Sequence, residues 1–109
     1  MPWLLREGTV LASLELATTR DERRRGLLGR DGIEGALLID PARSVHTIGM
    51  RFAIDVAHLA ADGTVLRTTT MARNRLGMPV PRAAKVLEAE VGAFRHWELA
   101  AGQVLEVRE

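Results

Sequence analysis

Apolar and polar positions alternate over short stretches of this chain, and turn chemistry separates the stretches. From Thr9 to Leu16, Ala12, Leu14 and Leu16 fall on one face and Ser13 and Glu15 on the other, as in a half-buried strand. Thr19-Arg20-Asp21-Glu22 fits a capping box, in which the Thr hydroxyl and the Glu carboxylate each satisfy a free backbone N–H of the first turn. The spacing predicts a helix of about two turns running through Leu28, with Gly29 ending it. Gly26 inside that helix costs roughly 1 kcal/mol against Ala, and close approach of another backbone would explain it. Gly35-Ala36-Leu37-Leu38-Ile39, bounded by Gly and by Asp40-Pro41, has the length and flanks of a buried strand.

Asp62-Gly63 lies between two β-prone runs and predicts a hairpin with a type I′ turn. Met71 to Ala84 holds Asn74, Gly77, Pro79 and Pro81, which excludes a helix interior or a central strand and leaves a long loop. Lys85 to Val91 reads as a strand with Val86 and Leu87 on its apolar side and Glu88 or Glu90 turned away. Gly92 to Ala101 is helix-compatible, with Phe94 and Trp97 stacked on one face as core, and Gln103 to Val107 closes the chain as a strand. With no repeat and no linker, residues 1–109 are expected to form a single α+β domain, a small curled or barrel-like sheet with two short helices.

Composition narrows the function classes. A chain of 109 residues supports one modest core, and 47% hydrophobic residues with mean hydropathy near zero is ordinary for a globular domain. A net charge of +1 supplies no global field toward nucleic acid or a membrane surface, and the absence of Tyr removes stacking platforms for single strands. No Cys is present, which removes disulfides, thiolate nucleophiles and thiolate metal sites. The first residues, Met-Pro-Trp-Leu-Leu-Arg-Glu-Gly, lack the basic and apolar regions of a secretory signal, so a cytoplasmic location is expected. Trp3, Leu4 and Leu5 are read as an exposed apolar start able to seed self-association or an adaptor interface.

The order and spacing of several segments resemble an uncharacterised bacterial and archaeal family, domain of unknown function 192. The matching pieces are Glu22-Arg23 through Gly26-Leu27-Leu28, then Gly35 to Ile39, then Ser44-Val45-His46-Thr47-Ile48-Gly49-Met50-Arg51-Phe52-Ala53-Ile54-Asp55-Val56. The Asp62-Gly63 turn, Val86-Leu87-Glu88, Ala101-Gly102 and the final strand complete the match. The resemblance implies a compact, β-rich α+β fold and no agreed activity. This chain has His46-Thr47-Ile48-Gly49-Met50 where many members have aromatic-Met-Lys-Asn-Thr, and Ala53 where the family usually has Pro. Many relatives carry an export signal, and none is expected here from the opening residues.

Candidate chemistry concentrates in the ten residues from His46 to Asp55, where His46, Thr47, Met50, Arg51 and Asp55 crowd the start of a strand that would otherwise be buried. The following loop carries Arg73, Arg75 and Arg82, able to present guanidinium groups to an acid or phosphate. Arg23-Arg24-Arg25 point about 100° apart on a helix and cannot converge on one small anion, so they are read as a solvated face. Asp55 and His58, three apart on one strand, face opposite sides of the sheet and cannot share a metal. Ser13 and Ser44, the only serines, lie outside any nucleophile elbow. The leading expectation is a binding module for a small polar or anionic ligand, needing no metal or cofactor. His46, Thr47, Arg51, Arg75 and Glu88 would line its pocket, and Asp55 would hold the floor. The alternatives are an enzyme using His46 with Asp55 for proton transfer or hydrolysis, and a protein–protein adaptor.

Overall fold

A computed structural model describes all residues, Met1–Glu109. In chain order the elements are β1 (Trp3–Arg6), β2 (Thr9–Ala17), α1 (Arg20–Arg25), β3 (Ala36–Ile39), β4 (Ile54–Leu59), β5 (Val65–Met71), β6 (Lys85–Glu90), α2 (Ala93–His96) and β7 (Glu106–Arg108). The strands form one sheet in the order β5-β4-β6-β3-β2-β1-β7. Every pair is antiparallel except β2·β3, whose parallel crossover carries α1.

The sheet curls until its two edges meet at one end. Gly102 N–H donates to Val65 O at 2.8 Å, Val65 N–H to Gln103 O at 2.8 Å, and Leu105 N–H to Gly63 O at 2.9 Å. Beyond that contact β5 and β7 stay apart, so the curled sheet is open. The fold is the expected α+β domain with two short helices.

Both faces of the central strands are covered. On one side Leu14, Leu38, Ala57 and Leu87 pack against Phe94, Leu99 and Leu105. On the other, Leu37, Ile54, Val56 and Val86 pack against Leu27, Ile33 and Met50 from the connecting segments and against Met71 from the end of β5. We refer to these as the Phe94 side and the Met50 side. Covering on both sides explains why β3 and β4 are buried at every position.

Turn chemistry departs from the sequence expectation in instructive ways. The tightest hairpin joins β1 to β2 through Glu7 and Gly8, both at positive φ (50° and 78°), the backbone a type I′ turn needs. Glu is an unusual residue there, so the signal passes unread and β1 with it. Leu4 and Leu5 are therefore core residues, each 1% exposed, and not the free apolar start expected; only Trp3 of that trio is exposed. Asp62-Gly63 does reverse the chain, but within a wider connection from Ala60 to Thr64. There Gly63 alone has positive φ (93°), and its N–H returns to Ala60 O at 3.0 Å.

The capping box on α1 forms as expected, with Glu22 N–H donating to Thr19 Oγ1 and Thr19 N–H to Glu22 Oε1. The helix ends at Gly26, not Gly29. Gly26 adopts φ 48°, and a Cβ there would meet only side-chain atoms of Glu88 and Ile39 at 3.8 and 3.9 Å, so backbone conformation and not tight packing explains it. The second helix stops after four residues. Glu98 takes φ 53° and Leu99 N–H reaches back to Phe94 O at 2.8 Å, which closes the helix end. Phe94 and Trp97 stack at 5.6 Å between ring centroids, as the pattern predicts.

Gly63 and Gly102 share φ 93°, but a Cβ on Gly63 would collide with Leu105 O whereas one on Gly102 meets nothing within 4 Å. Gly102→Ala is expected to lose about 1 kcal/mol in urea denaturation, the cost of positive φ alone. Gly63→Ala should lose more than about 2 kcal/mol, because the edge-closing contact must also shift.

Candidate functional site

Strand β6 lies in the middle of the sheet, and Glu88 stands opposite Leu37 of β3 and Val56 of β4. Directly opposed residues share a face, so the carboxyl sits among apolar neighbours on the Met50 side. Glu88 is 2% exposed and its Oε1 has no hydrogen-bond partner. Burial pushes its pKa up to about 7. The sequence pattern placed Glu88 on a solvent side of β6, but the strand has no such side before Glu90.

Above Glu88 opens a cleft of about 390 Å³. Five arginines line it, Arg20, Arg23, Arg24 and Arg25 from α1 and Arg43 from the loop after β3, and Glu88 is its only acidic residue. His46 and Met50 also border it. All three residues of the consecutive triplet border the cleft, and Arg20, three and four residues before Arg23 and Arg24, shares their helical face. That i, i+3, i+4 set converts an expected solvated face into one wall of a cleft. Arg23 Nη1 donates to Pro41 O at 3.3 Å, which ties α1 to the loop, while its Nε is buried without a partner.

The six residues expected to surround one pocket fall in several places. His46 and Glu88 share the arginine cleft. Thr47, fully buried, donates through Oγ1 to Ala72 O and accepts from Arg75 N–H at 2.9 Å, and its own N–H donates to Arg75 O at 2.8 Å. These bonds lash the segment before β4 to the loop after β5. Arg51 pairs with Asp31 at 2.9 Å on the surface, and the Arg75 guanidinium folds back on Arg73 O and Asn74 O, each at 3.3 Å.

Asp55 faces the Phe94 side. It accepts from Thr70 Oγ1 at 2.8 Å, Gly92 N–H at 3.0 Å and Phe94 N–H at 3.2 Å, anchoring the start of α2. The His46–Asp55 acid–base pair is therefore not assembled, because the sheet lies between the two. Of the residues bunched between His46 and Asp55, only His46 and Met50 border the cleft, while Thr47 and Asp55 tie segments of the fold together.

Asp55 and His58 face opposite sides, as their spacing predicts. His58 joins Glu88 on the Met50 side, 2% exposed, with both ring nitrogens unpartnered. Burial, and then the nearby Arg67 charge, hold its pKa below the ordinary imidazole value. None of the five arginines of the cleft, Arg20, Arg23, Arg24, Arg25 and Arg43, is among the residues expected from the sequence; counting Arg20 into the helical face is the signal available.

Ionisation of Glu88 is disfavoured by folding, which fixes the sign of a pH effect. Its contribution is full below the ordinary value of 4.5 and is lost as pH rises through about 7. A shift of this size corresponds to about 3 kcal/mol. Glu88→Gln is expected to flatten the fall in unfolding free energy between those pH values and to be more stable than the parent at pH 8. A parent and variant with parallel stability profiles would contradict it. Asp55→Ala, by contrast, should destabilise by roughly 2–4 kcal/mol, since it strands the backbone donors at the start of α2.

Two solved structures resemble the fold. One is a protein from Sinorhizobium meliloti, provisionally assigned as a transcription regulator, with 20% identity and a TM-score of 0.81 over 97% of this chain and 91% of that one. The other is a protein of unknown function from Novosphingobium aromaticivorans, with 17% identity and a TM-score of 0.80 over 96% and 82% of the two chains. At these identities the likeness establishes the fold. No curated protein matches the sequence. No helix is long and apolar enough to cross a membrane. The model of the DUF192 family, described as "Uncharacterized ACR", matches residues 4–107. Nearly the whole curled sheet, with the Glu88 cleft in it, falls within that match, and the chain belongs to the DUF192 family.

Proposed function

We propose that this domain binds a small anionic metabolite in the arginine-rimmed cleft, with a polar group of the ligand bonded to Glu88. One observation carries the reading: a buried carboxyl oxygen without a partner faces a cleft whose other charged residues are five arginines. An unpartnered buried polar group costs roughly 1–3 kcal/mol, and a ligand hydroxyl, amide or ammonium reaching it would recover that cost. Arginine suits the other end of such a ligand, because its planar fork matches carboxylate and phosphate oxygens in pairs. His46, which also borders the cleft, supplies a further donor.

Proton transfer is a second reading, now centred on Glu88 in place of the His46–Asp55 pair. A carboxyl that titrates near neutrality beside a cationic cleft is suited to exchange a proton with a bound anion. Turnover of a bound compound, lost in Glu88→Gln, would distinguish catalysis from binding. Helices of six and four residues, separated by strands β3 to β6, do not form a helix-turn-helix pair.

The test is calorimetric titration with inorganic phosphate, citrate and a set of small sugar phosphates and hydroxy acids. At least one is expected to bind the parent, and Arg20→Ser combined with Arg24→Ser should weaken it about tenfold or more, the loss of one or two charge-assisted contacts. Equal affinity of parent and variant, or no binding by any member of the set, would contradict the proposal.

A further inference from the structure

A second feature lies away from the arginine cleft, at the β5 edge of the sheet. The two edges are guarded very differently. Strand β7 is three residues long, fully exposed, and carries an ion pair between Arg108 and Glu106, the kind of short charged edge that resists pairing. Strand β5 has seven residues, no proline, one charge and three consecutive threonines. Beyond its ladder with β4, only Val65 makes backbone bonds, those that close the curl; no backbone group from Arg67 to Thr70 bonds outside the ladder.

Clefts flank this unguarded edge on both faces, and Thr69 and Thr70 border both of them. On the Phe94 side a cleft of about 700 Å³ runs past Thr68, Phe94 and the half-exposed Val91. On the Met50 side a cleft of about 380 Å³ is bordered by Arg67, Arg75 and the strongly exposed Leu76 and Met78. At its wall stands His58, 2% exposed with neither ring nitrogen bonded. This second cleft holds two arginines and no acidic residue.

Side chains of an added strand alternate between the two faces, so an open edge between two clefts has the form of a strand-addition site. Main-chain bonds supply the ladder and the clefts take alternate side chains. We propose that β5 docks an extended peptide along Arg67–Thr70, with an acidic side chain directed to His58, Arg67 and Arg75 and apolar side chains directed to the Thr68–Val91–Phe94 cleft. The guanidinium groups supply the charge complementarity that selects the acid, and the neutral imidazole adds an N–H donor. The opposite face has no excess of cationic residues, its charged lining being Arg95, Glu98 and the hydrogen-bonded Asp55, and selects for fit.

The probe is the peptide acetyl-Thr-Val-Glu-Val-Thr-amide, added to isotope-labelled protein and followed by amide exchange and by the ring resonances of His58. Exchange of the outward amides between Arg67 and Thr70 is expected to slow about tenfold or more at saturation, with a shift at the His58 ring. The same peptide methylated at its central backbone nitrogens should not bind. Arg67→Glu combined with Arg75→Glu leaves the ladder intact and should reverse the preference, favouring a peptide with Lys in place of Glu. Three results would overturn the proposal: unchanged exchange, equal binding of the methylated peptide, or a charge-swapped variant with unaltered preference. Protection that grows with protein concentration in the absence of peptide would also overturn it, by assigning the edge to a second copy of this chain.

Discussion

Burial of the central strands on both faces is the constraint on which the rest of the molecule depends. Strands β3, β4 and β6 are sealed by Phe94, Leu99 and Leu105 on one side and by Leu27, Met50 and Met71 on the other. A polar side chain placed there loses its hydration and must be bonded within the protein or remain a standing cost. Four buried residues are polar or charged: Thr47, Asp55, His58 and Glu88. They divide cleanly. Thr47 and Asp55 are bonded several times over and hold segments together, whereas both nitrogens of His58 and Oε1 of Glu88 go unmatched.

That division separates structural from functional polarity better than sequence proximity does. Asp55 makes the bonds expected of a fixed anchor, and its three donors come from β5 and the start of α2. Glu88 and His58 occupy the same face of neighbouring strands, with His58 opposite Val86 and Glu88 opposite Val56, and each borders a different cleft. Burial moves their titrations in opposite directions, raising the carboxyl and lowering the imidazole. Both therefore favour the neutral form in the fold, Glu88 up to about pH 7. A neutral carboxyl both donates and accepts, and a neutral imidazole does likewise, so each cleft offers a bifunctional polar group at its wall.

Much of the fold could be read from the chain because local signals and tertiary structure agree there. The capping box at Thr19, the apolar run from Ala36 to Ile39 and the Phe94–Trp97 pair form as their patterns indicate, and the chain reverses at Asp62-Gly63, though through a wider connection than a type I′ turn. Strand β1 was hidden because its turn uses Glu7 at positive φ, a position whose usual residues are Gly, Asn and Asp. The short second helix was hidden because Glu98 ends it with no glycine to announce the stop. The site was only partly legible. Spacing along β4 showed correctly that Asp55 and His58 part company, but no local pattern reveals which strands flank β6. Glu88 became a buried group only when Leu37 and Val56 arrived from strands remote in sequence.

The most direct measurement is the titration of the Glu88 side-chain carboxyl carbon, followed by NMR in the free protein. A carboxyl sealed between Leu37 and Val56 with one oxygen unpartnered should titrate at about 7. An inflection at the ordinary value of 4.5 would mean that water or a protein donor already satisfies it, and Glu88 would then be no different from the anchors around it.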